Sequence, residues 1–123
     1  MKIWTVCLIV LLSSSCYKRL ELEGFEKARW VNDYYSCEGY REDIADYLIE
    51  KQDVLLEGTQ NEVESLLGTP KEHELYNRNQ KFFHYRISPP DSCGNLEAVK
   101  YLSIRFNGLG RANLVQVMLR EPQ

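Results

Sequence analysis

Histidine is scarce in this chain, with 2 residues, and neither His-x₃-His nor Cys-x-x-Cys spacing occurs. Those spacings are the usual ligand frames for structural and catalytic zinc. His73-Glu74 opens like a zinc-protease motif, but position 77 is Asn. That segment also reads as extended, where alternate side chains point to opposite faces. No metal or cofactor is therefore expected. A basic excess is lacking too: 15 Lys and Arg stand against 18 Asp and Glu, for a net charge of −3. Nucleic-acid binders normally carry a basic face or stripe, so nucleic acid is not an expected partner. Gly108-x-Gly110 lies between two predicted strands and does not open a helix, so it lacks the phosphate-cradling context. Carboxylates are numerous but scattered, and no pair is placed together by spacing. No catalytic site is expected, and the chain reads as a non-enzyme.

What is present begins with an export signal. Lys2 gives a positive start, and residues 3–12 form an apolar run broken only by Thr5. Ten residues make about 15 Å of helix, half the roughly 30 Å hydrocarbon core of a bilayer. Residues 1–15 therefore read as a signal peptide rather than a membrane span. Ser13-Ser14-Ser15 before Cys16 resembles a bacterial lipobox, with Ser13 where leucine is usual. The resemblance implies cleavage before Cys16 and acylation of that residue, as in a palmitate-bearing lipoprotein. The alternative is ordinary secretion with Cys16 left as a thiol. Multiple acyl chains hold a protein on a membrane where one binds only reversibly. The expected location is the cell outer membrane, lipid-anchored, on the periplasmic face. Residues 16–24 read as the lipidated cysteine and its tether, and residues 25–121 as a single domain, as 123 residues suggest.

Cys7 leaves with the signal, so Cys37 and Cys93 remain as an even pair in an exported chain. Oxidising compartments make a disulfide the default. Closing about 57 residues contributes roughly 4 kcal/mol on loop entropy. The competing reading is a reactive thiol at Cys37, near a helix N-terminus. Residues 25–33 could form a short helix or turn, with Trp30 capping the edge of the core. Tyr34, Tyr35 and Tyr40 read as loop packing rather than a binding cluster.

Two helices are predicted. The first spans residues 39–53, with Tyr40, Ile44, Tyr47, Leu48 and Leu55 on one side and Glu42 and Asp43 in the first turns. The second has both ends written in. Thr59 and Glu62 have the Thr-x-x-Glu spacing of a capping box, Val63, Leu66 and Leu67 share one side, and Gly68 and Pro70 stop it. Three strands follow, near 81–87, 99–106 and 112–119, after an extended stretch at 73–76 and a turn. Alternation puts Phe83, Tyr85, Ile87, Leu102, Ile104, Phe106, Val115, Val117 and Leu119 in the core. It leaves Phe82, His84, Arg86, Tyr101, Ser103, Arg105, Leu114, Gln116 and Met118 on the other face. The predicted fold is α+β, two helices packed on one face of a three-stranded antiparallel sheet, with the second face open.

Several motifs carry a resemblance over about residues 53–119. They are Gly58-Thr59, Val63, Leu67-Gly68-Thr69-Pro70, Phe83-His84-Tyr85 and the strand ending Leu102-Ser103-Ile104-Arg105-Phe106, followed by a glycine turn. In this order, behind a lipobox-like cysteine, they resemble the SmpA/OmlA family of small outer-membrane lipoproteins, known as BamE in the β-barrel assembly machine. The methionine usual after the position of Gly58 is absent, and residues 25–50 have no clear counterpart. The layout is also similar to β-lactamase-inhibitor repeats, which bind proteins. The resemblance implies a monomeric, protein-binding scaffold with an outer-membrane or periplasmic protein partner, possible roles being outer-membrane protein assembly or envelope integrity. Phe82, His84, Arg86, Tyr101, Arg105 and Met118 on the open face are the candidate binding residues. Alternatives are a peptidoglycan- or lipid-binding envelope-maintenance protein, a secreted inhibitor-like module, and a Cys37/Cys93 redox protein.

Overall fold

The structure is a computed structural model that describes residues 19–95 and 98–120. The expected signal peptide and Cys16 lie outside the described residues. The fold is α+β. Helices α1 (Lys27–Asn32), α2 (Tyr40–Glu50) and α3 (Gln60–Leu67) precede strands β1 (Glu72–Tyr76), β2 (Gln80–Arg86), β3 (Val99–Phe106) and β4 (Ala112–Arg120). The strands form one antiparallel meander in the order β1-β2-β3-β4.

Two counts differ from the sequence reading. The sheet has four strands rather than three, because the extended stretch at 73–76 pairs with β2 as β1. All five β1 residues are exposed, so no buried face marks it in the sequence. Its register comes instead from the turn, where Arg78 and Asn79 sit at φ 60° and 61°. Consecutive left-handed residues give a hairpin turn whose twist matches its strands. Among the described residues there are also three α-helices rather than two, α1 being the short helix that residues 25–33 allowed.

Helix α3 forms as its sequence dictates. The Glu62 N–H donates to Thr59 Oγ1 at 3.1 Å, and the Thr59 N–H donates to Glu62 Oε1 at 3.0 Å. Gly68 stops the helix at φ 73°. Helix α2 is shorter than expected, with a 3₁₀ turn at Gln52–Val54 following it. Gly39 at its cap has no side chain to offer, so Asp33 acts at a distance. Asp33 accepts from the N–H of Glu38 at 2.8 Å, just before the helix, and from that of Arg41 at 2.9 Å, a donor that a helix start leaves free.

Trp30, Leu48, Leu55, Val63 and Leu67 pack on Phe83, Tyr85, Leu102, Ile104 and Phe106 in one core. Trp30 does not cap the core edge; it is fully buried. Its indole N–H donates at 2.8 Å to the carbonyl of Leu67, at the end of α3, as a buried indole requires. The Arg41 guanidinium lies 4.4 Å from the Trp30 ring and donates through Nε to the Trp30 carbonyl at 2.8 Å. The Tyr85 hydroxyl, raised above its ordinary pKa by burial, donates to the Gly68 carbonyl at 2.9 Å.

Val117 and Leu119, which alternation places in the core, are not in it, at 41% and 64% exposure. Both point to the helix side of β4, but the core includes β4 only through Ala112 and Val115. Alternation gives the side of a strand; it does not give the reach of the layer above. The expected tether is packed from Leu20 onward: Leu20 is buried in the core cluster, with Leu22 and Phe25 against it. Cys37 and Cys93 form a disulfide that joins the α1–α2 turn to the β2–β3 connection, with Cα atoms 5.8 Å apart.

Candidate functional site: the open face of the sheet

Cross-strand pairing places the residues of this face in rows. Phe82 pairs with Arg105, His84 with Ser103 and Arg86 with Tyr101 between β2 and β3. Arg105 continues to Leu114, Ser103 to Gln116 and Tyr101 to Met118 on β4. On the other side Glu72 pairs with His84 and Glu74 with Phe82. All six candidate residues therefore share one face. They are not equally available. Phe82, Arg86, Arg105 and Met118 are half-buried, whereas His84 and Tyr101 are buried.

The reason is a network that sequence spacing gave no means to assemble. Arg120, at the end of β4, reaches across the sheet to β1. It donates to Glu72 Oε2 at 2.8 Å and Glu74 Oε2 at 2.9 Å, and it lies 5.5 Å from the Tyr101 ring centre. His84 is held between them, with Nε2 at 2.7 Å from Glu74 Oε2 and Nδ1 at 2.6 Å from Ser103 Oγ. Phe82 stacks on His84 with ring centroids 5.5 Å apart, and Tyr76 meets Phe82 edge-on at 5.7 Å. The hydrogen bond to His84, with the positive charge of Arg120 beside it, holds the Glu74 carboxyl below its usual range. Glu72, Glu74 and Arg120 lie outside the six residues that the sequence singles out. The only sequence signal for them was the alternation that puts each on this face.

Ser103, His84 and Glu74 lie in the order of a nucleophile, a base and its orienting acid. The surroundings do not suit that chemistry. Ser103 and His84 have no exposed surface, while a nucleophile must meet a substrate atom at about 3 Å. Arg120 shares the same Glu74 oxygen and closes on His84 Nε2 at 3.2 Å. The arrangement satisfies buried polar groups and fixes the floor of the face, as a connected network does. Above that floor, Phe82 and Met118 offer apolar surface. Arg86 and Arg105 donate to the Ser88 carbonyl at 3.1 Å and to Asn113 Oδ1 at 3.0 Å, respectively.

The other motifs lie elsewhere. His73 projects to the helix side, its ring tilted against Phe83 with centroids 4.6 Å apart and facing Glu64 at 3.9 Å. Tyr34 and Tyr35 meet edge-on at 5.0 Å near the Lys71 ammonium, whereas Tyr40 is buried against Arg29. Among the described residues no helix is long and apolar enough to cross a membrane. No protein-family model, curated protein or solved structure matches the chain.

Proposed function

We propose that this chain is a non-enzymatic envelope lipoprotein, anchored through Cys16 at the periplasmic face of the outer membrane, that binds a protein partner through its open sheet face. The observation that carries the reading is the hydrogen-bonded floor of that face, the Glu74–His84–Ser103 chain latched by Arg120. A floor ordered before binding lowers the entropy cost of association. Half-buried Phe82 stands beside Arg105 in one row and half-buried Met118 shares the row of Arg86 and Tyr101, with the His84–Ser103 row between them, so each apolar side chain has an arginine in its row. Interface cores favour aromatic residues, methionine and arginine. The family resemblance makes the β-barrel assembly machine the first complex to search.

The test is cross-linked affinity purification from the membrane fraction. Wild type is compared with a Phe82→Ala/Met118→Ala variant, which spares the buried His84 and Tyr101. Anchors of this kind contribute about 1–2 kcal/mol each, so recovery of the partner should fall by at least tenfold while thermal unfolding is nearly unchanged. A partner retained at the wild-type level by a folded variant removes this face as the binding surface.

A further inference from the structure

The two hairpin tips meet at one end of the sheet. A Cβ on Gly108, in the β3–β4 turn, would stand 3.5 Å from the carbonyl oxygen of Arg78 in the β1–β2 turn. This shared end carries three strongly exposed apolar side chains: Leu109 at 89%, Leu75 at 79% and Tyr76 at 52%. Leu109 is at the apex of its turn, where nothing in a water-facing protein calls for leucine. Around them stand Arg78, Lys81, Arg105 and Arg111, and neither residues 75–82 nor 105–113 contain an Asp or Glu. That is a basic cluster on a chain of net charge −3. Of the nearest carboxylates, Glu62 Oε1 is held in the capping box and lies 3.8 Å from Arg111 Nη1, and the backbone carbonyl of Glu57 accepts from Arg111 at 3.1 Å.

The N-terminal chain joins the domain at the same end. Leu20 Cδ1 would be 3.1 Å from a Cβ on Gly58. Gly58 and Glu57 exchange backbone hydrogen bonds with Ala112, both at 2.8 Å, at the start of β4. Cys16 precedes Leu20 by four residues, a reach of at most about 14 Å. An acylated Cys16 would hold the hairpin tips next to the bilayer, not away from it.

We infer that the paired hairpin tips form a second, membrane-facing surface: Leu109, Leu75 and Tyr76 dip into the interfacial zone of an anionic bilayer while Arg78, Lys81, Arg105 and Arg111 meet its headgroups. Apolar side chains ringed by Lys and Arg are the composition that lies in such an interface, and tyrosine favours headgroup depth. The surface orients the domain, with the strands rising from the membrane and the open face turned sideways. The distance argument rests on the anchor of the proposed function; the charge segregation and the exposed tips stand without it.

The test uses the full chain reconstituted in vesicles, with an environment-sensitive fluorophore on Leu109→Cys and, as a control, on exposed Asp46→Cys. Vesicles of phosphatidylcholine are compared with vesicles containing phosphatidylglycerol. The expected result is a blue-shifted emission at 109, quenched by a membrane-embedded quencher, in anionic vesicles only, with a water-like emission at 46. Arg78→Asn with Lys81→Gln should lower the inserted fraction about fivefold per charge removed, and salt should do likewise. Asparagine tolerates the left-handed backbone of position 78, so the variant keeps its turn. Water-like emission at 109 in both vesicles overturns the inference, and so does insertion indifferent to the two charges. Tips that insert in a chain recovering no protein partner keep this surface and remove the partner proposal; the converse result does the opposite.

Discussion

Breaking the Cys37–Cys93 link tests how the two layers are held together. The bond pins the α1–α2 turn to the β2–β3 connection, and α2, α3, β1 and β2 all lie within the closed loop. Both cysteines are exposed, so a Cys37→Ser/Cys93→Ser variant leaves no cavity, and the change isolates the constraint on the unfolded chain. A sequence separation of 56 gives about 4 kcal/mol from loop-closure entropy. For a domain of this size, roughly 4–8 °C of Tm follows each kcal/mol, so a drop of roughly 15–30 °C is expected. Urea unfolding is the assay, with oxidised wild type, reduced wild type and the double variant side by side. The freed unfolded chain exposes more surface, so the denaturant slope should rise. A loss below about 1 kcal/mol, with an unchanged slope, would refute the reasoning and mean that the unfolded chain is restrained by something other than the bond.

Three further outcomes follow from particular contacts. Gly58→Ala puts a Cβ 2.9 Å from the Leu55 carbonyl oxygen; backbone there has little room to yield, so thermal unfolding should show a loss of about 1–3 kcal/mol. Arg41→Ala removes the buried donor to the Trp30 carbonyl and the cation above the indole; it should cost about 3 kcal/mol in chemical denaturation and alter the Trp30 fluorescence. Burial lowers the Arg41 pKa to about 10, so the guanidinium is charged at neutral pH. Glu74 is held below its usual range in the folded protein and regains a value of about 4.3 when unfolded. Its contribution to stability is therefore complete above that pH and is lost as pH falls through the lower folded value. Unfolding measured across the acid range should show a shallower acid limb for Glu74→Gln than for wild type.

Local chemistry was the legible part of the sequence. The Thr59–Glu62 box, the Gly68 stop and the side of β2 and β3 that packs under the helices each depend on residues close in the chain, and each formed as written. What stayed hidden depends on distant partners. Strand β1 has no buried face and is defined by its pairing with β2. Arg41 reads as a polar helix residue, and only the packing of Trp30 and Tyr34 around it explains its burial. Alternation placed the six candidate residues on the correct side. It could not show that Arg120, 36 positions beyond His84, comes to lie against it. The meeting of the hairpin tips likewise follows from a four-stranded meander and not from either turn alone.

The most direct measurement is site-specific photo-cross-linking in cells, with a photoreactive residue placed in turn at Phe82 and Met118 on the open face and at Glu42 and Asp46 on the exposed side of α2. Binding through the sheet face predicts a discrete protein adduct from positions 82 and 118 and none from 42 and 46. Adducts from the α2 positions alone would contradict it and put the protein-binding surface on the helical layer.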